Sequence, residues 1–166
     1  MNSKIILVSA LVLAGIGGLM FWGRANQTSA TASVQGAQSA LVAKESLYDF
    51  GTISMKDGIV SRMFTVTNQN ERAVLVTDIA TSCMCTTAYL VGDGGMKRGP
   101  FGMPGHGGPS PKANETIPAG ESRSIEVVYD PNAHGPAGVG AMDRFIYLTD
   151  ISGGTLALEI KANVTP

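Results

Sequence analysis

Cys83 and Cys85 are the only cysteines in a chain of 166 residues, and they stand one residue apart in Ser82-Cys83-Met84-Cys85-Thr86-Thr87. In an extended backbone, side chains at i and i+2 share a face, so the spacing predicts two sulfurs pointing the same way. Three chemistries are open to such a pair. One is a disulfide. In a strand the two Cα atoms lie about 6.7 Å apart, near the limit for an unstrained bridge. Such a bridge would reduce easily, which suits thiol–disulfide exchange more than stapling. The second is a soft-metal site, since paired thiolates suit Cu(I) or Zn(II). The third is packing, with two small apolar side chains buried as free thiols.

A metal needs more than two cysteines, which complete neither a tetrahedral zinc site nor a Cys-x-x-Cys redox motif. Further soft donors lie downstream. Residues 92–116 read GDGGMKRGPFGMPGHGGPSPKANET, with eight Gly and four Pro in 25 residues. This composition predicts a mobile loop with neither strand nor helix. If the loop folds over the cysteines, Met103 and His106 complete a Cu(I) set with Cys83 and Cys85. Met84, Met96 and His134 are the candidates for outer ligands. Against this stands a solvated loop whose methionines and histidine ligate nothing.

Other chemistry finds little support. The chain has no Ser in a nucleophile elbow, no phosphate-binding loop and no paired-His zinc motif. Asp49, Asp78, Asp130 and Asp143 fall near expected strand ends, where acids serve turns and solvation. The sequence therefore predicts no catalytic residues and a non-enzymatic protein. All thirteen acids lie within residues 44–166 against ten Lys and Arg, so this region carries about −3. Nucleic acid is excluded as a partner, because its backbone demands clustered basic residues.

The elements that must position these residues begin with Ile5–Trp22, eighteen residues without a charge. A helix of that length spans about 27 Å, close to the hydrocarbon thickness of a bilayer. Lys4 precedes it and Arg24 follows, which predicts a cytoplasmic N-terminus with the remainder delivered outside. Residues 1–24 thus form a transmembrane anchor. The alternative is a signal peptide cleaved near Ala30-Thr31-Ala32, with secretion of the rest. Either way the membrane is the first expected partner, and envelope proteins are candidates for others. Residues 25–43 are small and polar, and predict a flexible linker.

Residues 44–166 carry strand patterns separated by turn signals. Expected strands run over 46–53, 59–68, 72–80, 83–91, 122–130, 142–150 and 155–164. Asp57-Gly58 and Ser152-Gly153-Gly154 supply turns. Leu156, Leu158, Ile160 and Val164 alternate with Glu159, Lys161 and Asn163, the clearest period of two in the chain. The expected fold is all-β, an immunoglobulin-like antiparallel sandwich of about seven strands, preceded by the N-terminal transmembrane or signal helix.

Four motifs carry a family resemblance. They are Tyr48-Asp49-Phe50-Gly51-Thr52-Ile53, then Phe64-Thr65-Val66-Thr67-Asn68, then Ser82–Thr87, then Ile117-Pro118-Ala119-Gly120-Glu121-Ser122 leading into Ile125–Asp130. In this order they resemble the bacterial domain family of unknown function 1573, related to the ASPM/SPD-2/Hydin immunoglobulin-like group. The resemblance covers about residues 45–164 and implies an extracytoplasmic immunoglobulin-like domain, with no established activity. Two departures stand out: Met84 replaces the glycine of a Cys-Gly-Cys-Thr pattern, and the 92–116 insertion is long. Methionine does not favour positive φ as glycine does, which predicts an extended backbone at this site.

Overall fold

The computed structural model describes residues 39–105 and 111–166. They form two five-stranded sheets packed face to face, an immunoglobulin-like β-sandwich. The strands are β1 (Leu41–Ala43), β2 (Leu47–Ser54), β3 (Val60–Asn68), β4 (Val74–Thr81), β5 (Thr86–Val91), β6 (Lys97–Phe101), β7 (Glu115–Ile117), β8 (Ser122–Tyr129), β9 (Gly140–Asp150) and β10 (Thr155–Thr165). One sheet runs β1-β3-β8-β5-β6 and the other β2-β10-β9-β4-β7. Every pairing is antiparallel except β2 with β10, which is parallel.

The core follows from period-two alternation. Phe64 and Val66 on β3 meet Ile125, Val127 and Tyr129 on β8 within one sheet, all essentially inaccessible to solvent. Ile146 and Leu148 on β9 and Leu158, Ile160 and Val164 on β10 line the facing sheet. A full apolar side chain buried this way contributes about 1.5–3 kcal/mol, so the alternation fixes which face turns inward.

Three of the ten strands depart from the sequence reading, each for a local reason. Leu41–Ala43 falls in the expected linker but pairs with Ala43 opposite Val66, because Leu41 drops into the core. Of the other two, one lies inside the expected mobile loop and one spans its C-terminal boundary. Lys97–Phe101 pairs with β5 and Glu115–Ile117 with β4, both at sheet edges. An edge strand tolerates Pro100, whose missing N–H is needed only on an inner strand. Phe101 anchors β6 with 1% of its surface exposed. Gly99, at φ 133°, passes so close that a Cβ would lie 3.0 Å from the Ala88 carbonyl oxygen.

No helix among the described residues is long and apolar enough to cross a membrane. The expected N-terminal helix and most of the linker lie outside the described residues, as does His106.

Candidate functional site

Two of the places where the chain passes from one sheet to the other meet at one end of the sandwich. Residues 82–85 carry β4 into β5, and residues 130–139 carry β8 into β9. β5 and β8 are hydrogen-bonded neighbours, with Thr86 opposite Tyr129. The two crossings therefore lie side by side, one bearing the cysteines and the other His134.

Contrary to the extended backbone expected, Cys83-Met84-Cys85 forms a tight turn, closed by the Thr86 amide donating to the Cys83 carbonyl at 3.2 Å. Met84 and Cys85 do not adopt positive φ, so methionine fits where glycine was expected to be needed for a bend. The turn is held on both sides. The Thr81 hydroxyl donates to the carbonyls of Cys83 (3.0 Å) and Thr86 (2.9 Å). The Ser82 amide donates to the Phe145 carbonyl, the Phe145 amide donates to the Ser82 hydroxyl, and the Asp130 amide donates to the Cys85 carbonyl, each at 2.9 Å.

The second crossing is equally tied. Asp130 Oδ1 accepts from the Asn132 amide at 2.8 Å, and Asn132 Nδ2 donates to the Met55 carbonyl at 2.9 Å. A β-carbon on Gly138 would lie 3.2 Å from the Pro131 carbonyl oxygen, so the loop closes tightly around His134. His134 reaches the cysteine turn, with its Nε2 3.1 Å from Cys83 Sγ.

Cys83 Sγ, Cys85 Sγ and one His134 ring nitrogen all lie within 4.8 Å of one another. Both cysteines are free thiols; Cys85 is buried, Cys83 half-buried and His134 exposed. From β9, Arg144 Nε donates to Cys85 Sγ at 3.2 Å. The Cys85 amide lies 3.4 Å from Cys83 Sγ and donates to it.

These contacts split the two thiols. Burial opposes ionisation of Cys83, but hydrogen bonds from the Cys85 side chain and amide, with His134 and the charge of Arg144, bring it down to about 7. Burial, then the neighbouring Cys83, pushes Cys85 above its ordinary value even though Arg144 donates to it. Burial also pushes up Tyr129 behind them, with the charge on Cys85 adding to it. The arrangement can present one thiolate readily and a second when a cation replaces its proton.

The other expected ligands are placed differently. Met84 sits at the turn's crest, 56% exposed. Met103 is half-buried in the segment after β6, where the Thr81 amide donates to the Gly102 carbonyl at 3.2 Å. Met96 is not brought to the cysteines. It lies at the far end of β5, where it lines a cavity of about 360 Å³ with Leu90, Lys97 and Arg123. His134, expected only as an outer ligand, lies directly against Cys83 and within 4.8 Å of both sulfurs, and Arg144 was not foreseen. Nothing in the spacing of residues 83, 134 and 144 shows that they meet; only strand order could have told it.

Comparison with known proteins agrees at the level of fold. A protein of unknown function from Porphyromonas gingivalis W83 superposes with a TM-score of 0.53 at 13% identity, covering 76% of this chain and 50% of that one. A family 123 glycoside hydrolase from Clostridium perfringens gives 0.50 at 8% identity, over 72% of this chain and 22% of the enzyme. The ASH/PapD-like domain of human CEP192 gives 0.43 at 10% identity, over 77% and 87%. The chain spans about half the length of the Porphyromonas protein and less than a quarter of the hydrolase. No curated protein matches the chain. Residues 41–93 match the model of the family described as Protein of unknown function (DUF1573), a stretch that holds three of the four motifs, the cysteine turn among them.

Proposed function

We propose that this chain is a non-enzymatic immunoglobulin-like module, held outside the cytoplasm by its N-terminal segment, that binds a soft metal ion between Cys83, Cys85 and His134. The observation that carries the reading is the convergence of three donor atoms within 4.8 Å from two separate chain crossings. Two thiolates and an imidazole make a soft set. Three donors fall one short of the tetrahedral set of a structural zinc site, and Cu(I) is satisfied by two or three. The backbone bonds that lock both crossings hold the donors in place without the ion, which lowers the ordering cost of binding. The location rests on the uncharged run Ile5–Trp22 and its flanking basic residues.

The test is a titration of the full chain, reduced and kept from oxygen, with Cu(I) held against a competing chelator such as bathocuproine disulfonate. One equivalent should be retained per chain, and Cys83→Ser or Cys85→Ser should abolish retention. A wild-type chain that retains no copper with both thiols titratable contradicts the proposal. A chain isolated about two daltons light, and indifferent to copper after reduction, transfers the function to thiol–disulfide exchange.

A further inference from the structure

Arg144 lies in step with Met142, Ile146 and Leu148, on the side of β9 that faces the core. It is half-buried, and its Nη1 donates to the Asp143 carbonyl at 2.7 Å. None of the ion pairs among the described residues includes it, whereas Arg62, Arg98 and Arg123 each hold a glutamate. Its Nε points instead at Cys85 Sγ. Asp130, next to Tyr129, directs its Oδ1 to the Asn132 amide. A half-buried guanidinium usually sits against an anion, and the group facing this one is the Cys85 sulfur, which becomes a thiolate when a metal ion replaces its proton.

Resting on the metal reading above, we propose that Arg144 is a positioning residue that sets the charge of the site, so that it accepts a monovalent soft ion and disfavours Zn(II). With both thiols ionised, a neutral imidazole and one guanidinium, the site carries a net charge of −1 before the ion enters. Cu(I) brings it to zero, and Zn(II) leaves an excess positive charge in a half-buried place. Two opposing effects follow from the guanidinium. It makes both thiols easier to ionise, which helps either ion equally because either ion displaces the same two protons. It also repels the ion, and that repulsion doubles for a divalent charge. The first effect cancels in the ratio of affinities and the second does not. Charge selection is therefore visible in the ratio even where both affinities change.

The experiment measures Cu(I) and Zn(II) affinities of the full chain by chelator competition under reducing conditions, for wild type, Arg144→Gln and Arg144→Lys. Removing the charge should shift the Cu(I):Zn(II) affinity ratio toward zinc by about tenfold or more, the scale on which groups behind metal ligands act. Arg144→Lys keeps the charge and should keep the ratio, though affinity for both ions falls with the lost Nε contact. Arg144→Met, which fills apolar surroundings without a charge, carries the same expectation as the glutamine variant and serves if that one does not fold. An unmoved ratio in both uncharged variants overturns the proposal, as does a lysine variant that behaves like them. Wild type that binds Cu(I) with an unmoved ratio in the variants sinks only the role of Arg144. Wild type that binds no Cu(I) sinks that role and the metal reading together.

Discussion

Cys83 Sγ lies 3.1 Å from Nε2 of His134, although 51 residues separate them in the chain. The distance is set by topology: β5 and β8 are neighbours in one sheet, and the crossings before β5 and after β8 emerge at the same end. Each crossing is pinned by its own backbone bonds, so the three donors are a product of the sandwich and not of a flexible loop.

The ligand assignment separates residues that the sequence treats alike. His134→Ala should weaken Cu(I) retention by about tenfold or more, while Met96→Ala should leave it unchanged, because Met96 is at the far end of β5. Competition with a Cu(I) chelator reads both. Equal losses in the two variants would mean that the hairpin bearing Met96 folds back over the turn.

Asn68 anchors the other end of the domain. It is fully buried, and its Nδ2 donates to the carbonyls of Arg72 (2.8 Å), Ile117 (2.9 Å) and Pro118 (3.2 Å). Asn68→Ala strands these carbonyls and should cost about 2–3 kcal/mol in denaturant unfolding. Asn68→Asp should cost at least as much, since it places an acceptor against acceptors. A loss below about 0.5 kcal/mol, the scale of ordinary surface substitutions, would contradict this role.

Asp150 gives the domain a dependence on acid. Burial alone would raise its carboxyl, but the Ser152 and Ser39 hydroxyls and the amides of Ser152 and Gly154 hold it below the ordinary carboxylate value. A group whose value is lower in the folded state stabilises fully above its unfolded value, about 3.9, and loses that contribution as pH falls through the folded one. Asp150→Asn should therefore lower the melting temperature at pH 7 and approach wild type as pH drops below about 4. A gap between the two melting curves that stays constant from pH 7 to pH 3 would show that Asp150 acts through shape alone.

The strand at 41–43 belongs to the folded unit. Leu41 is 2% exposed, and the Ser39 hydroxyl donates to Asp150 Oδ2 at 2.8 Å. Leu41→Ala should destabilise by about 2–3 kcal/mol, at the low end for a buried leucine because the site is at a sheet edge. Thermal or denaturant unfolding checks it, and a neutral result would return this stretch to the linker.

Most of the fold was legible where alternation is strong. Leu158, Ile160 and Val164 declare their strand, and so do Ile125, Val127 and Tyr129. What escaped were elements whose composition argues against their state. Lys97–Phe101 carries glycine and proline and is a strand only because it sits at an edge with Phe101 as anchor. Leu41–Ala43 is too short to show a period. The cysteine pair was legible as a pair of neighbouring sulfurs, but through the wrong backbone: a turn brings them together where a strand was expected. His134 and Arg144 were beyond reach, since their meeting depends on which strands are neighbours.

The most direct test of the account is X-ray absorption at the copper edge on the full chain loaded with one equivalent of Cu(I). The account predicts an inner shell of two sulfurs and one nitrogen, the nitrogen lost in His134→Ala. An all-sulfur shell, or a nitrogen that survives that substitution, would contradict a site built from Cys83, Cys85 and His134.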